Sequence, residues 1–272
     1  MHADPVPPSA RIAARRAAGW VPPLARFGYA AKGVVYVLVG WLAARVGIAG
    51  GRAGSTTEAL ATLAREDGGR LALLVVALGL LAHVLWRGVQ ALLDPEHAGR
   101  DAKRIGMRLF YLLSGAVYGA LGWTAWRLSQ GAGGGDGEGQ RIWIARLLEQ
   151  PFGAWLVMLA GLGVAGYGIH QLRKAWKGDV NRRMEGADAA TGGWARTIGR
   201  IGTGARGLVL LPIGWFVFQA GRQYRADAAA DTGEVLRMVD TPWLLAAVGL
   251  GLLLYGVHQL IKAVYRRIAR PA

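Results

Sequence analysis

The sequence predicts an all-α integral membrane protein with six transmembrane helices, built as three tandem helical hairpins in a pseudo-threefold bundle. Three observations predict this fold. Hydrophobic residues make up 53% of the 272 positions. One apolar pattern occurs three times along the chain, and the basic residues gather in alternate connections between apolar stretches.

The composition narrows the class of protein before any motif is considered. Several apolar runs approach the roughly 20 residues that a helix needs to cross a bilayer. The chain has no cysteine, so it carries no disulfide framework and no thiolate metal site. The formal charge of +15 would suggest a nucleic-acid ligand in a soluble protein. Here the basic residues flank apolar spans without any aromatic-basic module, and we expect no nucleic-acid partner.

The repeated pattern is Gly33–Trp41, Gly115–Trp123 and Gly207–Trp215. Each copy has two glycines seven apart, a tryptophan after the second, and an arginine seven residues before the first. Steps of seven return to nearly the same face of a helix. We expect the glycines to pack helices together, the arginines to anchor cytoplasmic helix ends, and the tryptophans to lie in the core. The glycines are Gly33, Gly40, Gly115, Gly122, Gly207 and Gly214, the arginines Arg26, Arg108 and Arg200, and the tryptophans Trp41, Trp123 and Trp215.

Repeat boundaries follow from the same pattern. Residues 1–24 read as a basic, proline-containing cytoplasmic tail, and the repeats cover residues 25–97, 103–178 and 196–268. Each repeat has two spans joined by a short amphipathic helix at the membrane surface, predicted at 56–64, 141–148 and 232–239. Pro212 in the fifth span predicts a kink. The spans are predicted at Phe27–Ile48, Leu71–Leu93, Leu109–Leu128, Phe152–Trp176, Ala205–Ala220 and Trp243–Val264.

Charge placement predicts the orientation. About two-thirds of the 32 lysines and arginines fall in the tail, in the second-to-third and fourth-to-fifth connections, and after the last span. The remaining basic residues are balanced by acidic ones, so the whole net charge lies on the first side. The positive-inside rule then puts both termini of a multi-pass membrane protein in the cytoplasm.

The second spans carry the candidate site. The copies Tyr167–Trp176 and Tyr255–Val264 match closely, and His83–Leu92 fits the same frame with different residues. Ionisable groups inside spans suggest function. Three interpretations remain open: structural hydrogen bonding with snorkelling lysines, a pocket for an anion or lipid headgroup, or paired-histidine ligation of haem or a metal. The candidate pocket consists of His170, His258, Lys174, Lys262, Gln90 and Trp86.

These motifs resemble one bacterial family, the domain of unknown function 1206. The resemblance rests on the threefold first-span motif, the short alanine–leucine helix, and Gln150–Gly153 leading into the Tyr-Gly-x-His-Gln motif of Tyr167–Gln171. It covers roughly residues 25–268. Repeat one departs at Trp86, where the others have histidine, and repeat three departs at Leu210, in the tyrosine position. The resemblance implies three two-span repeats and a membrane location, and it implies no activity.

No pattern predicts an enzyme. The chain lacks a nucleophile elbow, a phosphate-binding loop and a zinc-protease signature, and we expect no catalytic residue and no metal site. The spans have no acidic residue near their middle, which argues against a carboxylate-coupled transporter. We expect a non-enzymatic scaffold or accessory protein acting through anionic phospholipid headgroups or membrane partners, including further copies of itself. The alternatives are a small transporter or channel along the repeat axis and a bis-histidine haem protein; no other cofactor is expected.

Overall fold

The computed structural model describes residues 8–50, 54–92, 102–132, 138–181, 184, 190, 191 and 193–266. These residues form α-helices and short 3₁₀ turns with no strand among them, so the all-α prediction is confirmed. Parts of the predicted tail and of repeats one to three lie outside the described residues: 1–7, 51–53, 93–101, 133–137, most of 182–192, and 267–272.

Nine α-helices run through the described residues. Six are long and three are short, and each short helix follows the first long helix of a repeat, as predicted. Two 3₁₀ turns, at Asp179–Asn181 and Ala226–Ala228, lie in the connections. The helices are α1 (Pro8–Ala49), α2 (Thr56–Ala64), α3 (Gly69–Leu92), α4 (Ala102–Ser129), α5 (Glu138–Leu148), α6 (Gly153–Lys177), α7 (Trp194–Gln223), α8 (Thr232–Arg237) and α9 (Pro242–Tyr265).

Five of the long helices are long and apolar enough to cross a membrane, which indicates a multi-pass membrane protein. They are the Pro22–Ala49 part of α1 together with α3, α6, α7 and α9. Helix α4 has 28 residues, but its serine, glycine and aromatic positions lower its hydropathy. The described residues therefore yield five candidate spans where the sequence pattern predicts six.

Helix α1 starts much earlier than the first predicted span. It begins at Pro8 and continues through Pro22 and Pro23 to Ala49. The alanine- and arginine-rich residues before Trp20 favour helix. The described part of the predicted tail therefore belongs to the first long helix. Pro212 likewise lies inside the continuous helix α7, which runs from Trp194 to Gln223.

The long helices contact one another in the order α4, α3, α1, α9, α7, α6. The closest pairs join different repeats: α1 with α9, α6 with α7, and α3 with α4. Within repeats one and three the two spans are also neighbours, α1 beside α3 and α7 beside α9. Within repeat two, the described parts of α4 and α6 hardly approach each other.

Glycines seven residues apart allow the closest pairs to form. A Cβ on Gly40 would lie 2.6 Å from the carbonyl oxygen of Gly249, and one on Gly256 would lie 2.7 Å from that of Gly33. Gly214 and Gly161 stand in the same relation between α7 and α6, at 2.7 Å. Because no side chain separates the backbones, van der Waals packing holds these helices together without a hydrophobic driving force.

The α3–α4 pair is looser because α3 has larger residues at the equivalent positions. Ala77 and Val84 replace the paired glycines of α6 and α9. A Cβ on Gly122 would lie 3.3 Å from Leu80 Cβ, and one on Gly115 would lie 3.5 Å from Arg87 Cβ. The predicted packing role of Gly33, Gly40, Gly207 and Gly214 thus corresponds to direct backbone contact, while Gly115 and Gly122 fit less tightly.

The prediction that the repeated tryptophans lie in the core is wrong. Trp41, Trp123 and Trp215 have exposed fractions of 58%, 64% and 54%. Each follows a packing glycine directly, and one residue turns a helix by about 100°. In these helices the residue that directly follows the packing glycine therefore points outward.

The short helices close one end of the bundle. Ser55 with Glu58, and Asp231 with Glu234, form capping boxes at the starts of α2 and α8. Arg141 of α5 pairs with Glu234. Beneath these helices lies the main apolar core, with fully buried leucines from α2, α3, α8 and α9: Leu60, Leu73, Leu80, Leu236 and Leu252.

Candidate functional site

A group of cationic and aromatic side chains lies where the long helices meet. Helices α1, α4, α6, α7 and α9 each contribute at least one member. Lys32 is ten residues inside its candidate span, about 15 Å at 1.5 Å per residue. We call this group the central cluster; it consists of Lys32, Tyr36, Tyr118, Tyr167, Arg206 and Tyr255.

Arg206 stands at the middle of the central cluster. Its Nε donates a hydrogen bond to the hydroxyl of Tyr36 over 3.0 Å. Its Cζ lies 5.5, 5.3 and 5.0 Å from the ring centroids of Tyr36, Tyr167 and Tyr255. The residue is 8% exposed, and its Nη1 is buried without a hydrogen-bond partner.

Lys32 approaches the same rings from α1. Its Nζ lies 4.5 Å from the ring centroid of Tyr118, 5.8 Å from that of Tyr255 and 6.0 Å from that of Tyr36. The residue is 3% exposed. Tyr36 and Tyr118 face each other with their hydroxyl oxygens 3.5 Å apart.

The glycine packing explains why these cations point inward. Lys32 precedes Gly33, and Arg206 precedes Gly207, so both cations hold the same position in repeats one and three. Gly33 and Gly207 are pressed against the neighbouring helix. The residue directly before each glycine lies about 100° back round the helix, on the other side of the glycine from the residue that follows it, and faces the interior of the bundle. In repeat two this position is Ser114, which has no charge.

The two cations have no acidic partner among the described residues. The charged groups that act on Lys32 are all cations, namely Arg206, Arg87, Lys262 and Arg266. A guanidinium stays charged inside proteins. A cation over an aromatic face gains about 0.5–2 kcal/mol, whereas an unpaired charge in a low-dielectric interior costs several kcal/mol. The aromatic rings alone therefore do not compensate the cost of burying the two cations, and the positive charge of the cluster favours an anion.

His83 of α3 is a further buried polar group beside the cluster. It is fully buried, and neither of its ring nitrogens has a hydrogen-bond partner. Its ring meets that of Tyr118 edge to face at 4.9 Å between centroids. Buried polar atoms are nearly always hydrogen-bonded, so these two nitrogens are free to bind a polar group beside the cluster.

More cations lead from the cluster to one end of the bundle. We call this the basic end; there α3, α6 and α9 finish and α7 begins. Lys262, Arg87 and Arg266 lie close enough to act on Lys32, and Lys174 acts on Lys262. On the same face of α6 and α9, Gln171 and Gln259 are buried at the position that Arg87 holds in α3. The approach from the basic end is polar and cationic, whereas the core on the other side of the cluster is apolar.

The structure places the two predicted histidines in different surroundings. His258 is fully buried, and its Nε2 lies 2.9 Å from Oδ1 of Asn181. It packs against Gly199, where a Cβ would lie 2.6 Å from the ring. His170 is exposed, and its ring stacks on Tyr167 at 6.2 Å between centroids. This arrangement gives no support to paired-histidine ligation, and among the described residues there is no metal-type cluster of three ligands.

The other four predicted residues are divided between two environments. Trp86 is fully buried against Ala25 and Tyr29. Gln90 is buried and accepts a hydrogen bond from Arg87 Nη1 at 2.9 Å. Lys174 and Lys262 are partly buried near His258 and lie on the cationic approach to the central cluster. Trp86 and Gln90 thus lie in packed surroundings, whereas Lys174 and Lys262 lie among the other cations of the basic end.

The repeated arginines lie near the basic end. Arg200 caps the end of α6, where its Nε donates to the carbonyl oxygen of Ala175 over 3.0 Å. Arg26 is exposed and Arg108 is partly buried. Beside Arg200, an outward-facing groove of about 630 Å³ runs between α6 and α7. This groove lies outside the bundle, and we assign the chemistry to the central cluster because the buried, unpaired cations are there.

The repeat pattern did not single out Lys32 and Arg206 as site residues, because repeat two has the uncharged Ser114 at the same position. The available signal was the register: in the first spans of repeats one and two, the polar residue before the first glycine and the tyrosine four residues after it share one face. The second spans present His83, Tyr167 and Tyr255 at one common position.

Fold and site together describe a multi-pass helical membrane protein with a buried cationic centre. Residues 27–94, 109–178 and 201–266 match the family described as Domain of Unknown Function (DUF1206), and the chain belongs to that family. It is 30% identical over 259 residues to the Uncharacterized protein YxxB of Bacillus subtilis (strain 168), with 92% of each chain covered. No solved structure matches the chain.

Proposed function

We propose that the protein is a non-enzymatic, multi-pass protein of the bacterial inner membrane that binds an anionic group at the centre of its helix bundle. One observation carries the proposal: Lys32 and Arg206 are buried side by side on shared tyrosine rings, with no acidic partner among the described residues. Arginine and tyrosine donors together suit a carboxylate or phosphate oxygen.

The proposed topology has six spans, with α4 as the sixth. Its 28 residues give about 42 Å of helix, enough to cross a bilayer. The three repeats would then point the same way around a threefold axis, with both termini and the basic end in the cytoplasm. An anion of the cytoplasm or of the inner leaflet would reach the site from that end.

The core argues for a binding site in preference to an open channel along the axis. Beyond the central cluster, the axis is filled by the fully buried side chains of Leu73, Leu80 and Leu252. Helices α2 and α8 cover that end through Leu60 and Leu236. An anion entering from the basic end would therefore stop at the cluster. This suits an accessory protein that holds an anionic lipid or a charged group of a membrane partner, alone or within an oligomer of identical chains.

Thermal unfolding tests the proposal. A ligand that binds only the folded state raises the unfolding temperature as its concentration increases. The purified protein in a neutral detergent is titrated with inorganic phosphate and with sulfate. We expect the unfolding temperature to rise with either anion in the wild type and to stay constant in Arg206→Gln.

Arg222→Gln is the matched control, because Arg222 is also on α7 but is exposed near the opposite end. It should respond to the anions as the wild type does. Equal stabilisation of wild type, Arg222→Gln and Arg206→Gln would show that the anions act at the surface, and the proposal would be wrong.

A further inference from the structure

The bundle has an opening within repeat two. In repeats one and three the two spans close on small residues: a Cβ on Gly28 would lie 2.7 Å from His83 Cα, and Gly202 meets the backbone of Tyr255. In repeat two the equivalent of these glycines is Phe110, whose ring lies against Tyr167 at 4.4 Å between centroids. Ala31 and Ala205 are likewise replaced by the larger Leu113.

The larger residues hold α4 away from α6. Gly79 and Gly251 each contact the alanine of their own repeat, whereas Gly163, their equivalent in α6, has nothing within 4 Å of an added Cβ. His170 is exposed for the same reason, since Trp86 and His258 at that position are covered by their own first spans. The gap therefore follows from the sequence of repeat two.

The walls of this opening are apolar and face outward. Leu113 and Val117 of α4 are exposed, whereas Ala31 and Val35 at the same positions of α1 are buried. On α6 the added Cβ of Gly163 would likewise meet open space. In a bilayer this surface would meet lipid chains, which it matches in polarity.

The opening is adjacent to the central cluster. The two helices that flank it each supply a tyrosine to the cluster, Tyr118 from α4 and Tyr167 from α6. The ring of Tyr118 faces Lys32 Nζ, and the ring of Tyr167 faces the Arg206 guanidinium. An apolar lateral gap thus borders two buried cations, and Arg206 Nη1 there has no hydrogen-bond partner.

We propose that the ligand is an amphiphilic anion of the bilayer, with a phosphate or carboxylate head at Lys32 and Arg206 and an alkyl chain lying in the gap between α4 and α6. This rests on the anion site proposed above. It adds the class of ligand and a lateral route from the bilayer, through the gap, beside the approach from the basic end. Charge complementarity selects the head, and the apolar walls of the gap select the chain. A second copy packed on the gap through its spans would bring no Asp or Glu to the two cations, because the spans contain none.

The test compares two probes that share a head. Inorganic phosphate and dodecyl phosphate are titrated against the protein in dodecyl maltoside, a detergent with the same alkyl chain and a neutral head. The apparent Kd comes from the rise in unfolding temperature. We expect dodecyl phosphate to bind at least tenfold more tightly than inorganic phosphate.

Two tryptophan variants then test the route. Gly163→Trp fills the gap at a position with free space, whereas Leu208→Trp places the same side chain on the exposed face of α7. Gly163→Trp should weaken dodecyl phosphate binding at least tenfold and leave inorganic phosphate binding unchanged. Leu208→Trp should change neither.

The outcomes separate the two proposals. If neither probe stabilises the wild type, the anion site itself is wrong. If both probes bind with the same Kd, or if Gly163→Trp has no effect on dodecyl phosphate, the anion site stands and the lateral route is overturned. Dimers that disappear in Gly163→Trp, without any difference between the probes, would assign the gap to a second copy and would likewise overturn the lipid route.

Discussion

At the scale of single residues, the candidate site depends on Arg206. Its guanidinium keeps its charge when buried, and three tyrosine rings and one tyrosine hydroxyl surround it. Lys32 adds a second charge above the same rings. Both cations occupy the same repeat position, so repeats one and three each contribute a basic residue there and repeat two contributes the uncharged Ser114.

Tyr36→Phe should weaken this arrangement. The change removes the acceptor of the Arg206 Nε–H and the neighbour of the Tyr118 hydroxyl. A lost hydrogen bond to a charged group costs about 1.5–3 kcal/mol. We expect a lower unfolding temperature and weaker phosphate binding, measured by thermal unfolding with and without phosphate.

Tyr224→Phe serves as the control for Tyr36→Phe. Tyr224 is exposed just after α7, far along the chain from the cluster. It should behave as the wild type in both measurements. If Tyr36→Phe also matched the wild type, the hydroxyl of Tyr36 would not hold Arg206 in place.

At the scale of helices, glycine decides which pairs pack closely. Gly214→Ala should destabilise the protein by about 1–3 kcal/mol, the typical cost of overpacking. The added methyl group would lie 2.7 Å from the carbonyl oxygen of Gly161 and 2.8 Å from Ala165 Cβ. Reversible unfolding in mixed micelles measures the change.

Gly163→Ala gives the contrast to Gly214→Ala. Its added Cβ meets nothing within 4 Å. Alanine exceeds glycine in helix propensity by up to about 1 kcal/mol, so this variant should equal or exceed the wild type in stability. Equal losses in both variants would mean that backbone contact does not explain the glycine pattern.

Repeat two should close when its large residues are replaced. Phe110→Gly restores the glycine that repeats one and three carry at this position. The chain has no cysteine, so Leu113→Cys with Gly163→Cys reports directly on the α4–α6 distance through disulfide formation. We expect the crosslink to form readily with Phe110→Gly and slowly without it, as read by gel mobility. The same slow rate in both backgrounds would show that Phe110 does not keep the helices apart.

Much of the architecture could be predicted from the sequence, because hydropathy and repeat period depend on local pattern. The helices, the three-part organisation and the short surface helices follow from it. Whether an individual side chain points into the bundle or out of it could not be predicted, because this depends on which neighbouring helix each glycine contacts. Trp41 was expected inside and lies outside, while Lys32 and Arg206, which belong to no predicted site, lie buried at the centre. The gap at Phe110 is visible only when the repeats are compared in three dimensions.

At the scale of the whole molecule, the basic end sets the proposed direction in the membrane. Single cysteines can test it because the native chain has none. Asp67→Cys, between α2 and α3, should react with an impermeant maleimide on intact cells. Lys177→Cys, at the exposed end of α6, should react only after permeabilisation. The reverse labelling pattern would invert the topology and place the cationic approach outside the cell.

The central claim is that an anion occupies the space beside Lys32 and Arg206. Crystals of the protein grown with selenate and measured at the selenium absorption edge test it most directly. The account predicts an anomalous difference peak within hydrogen-bond distance of the Arg206 guanidinium, bordered by Tyr36 and Tyr167. Peaks confined to surface arginines, with the space beside Arg206 closed by protein side chains, would contradict it.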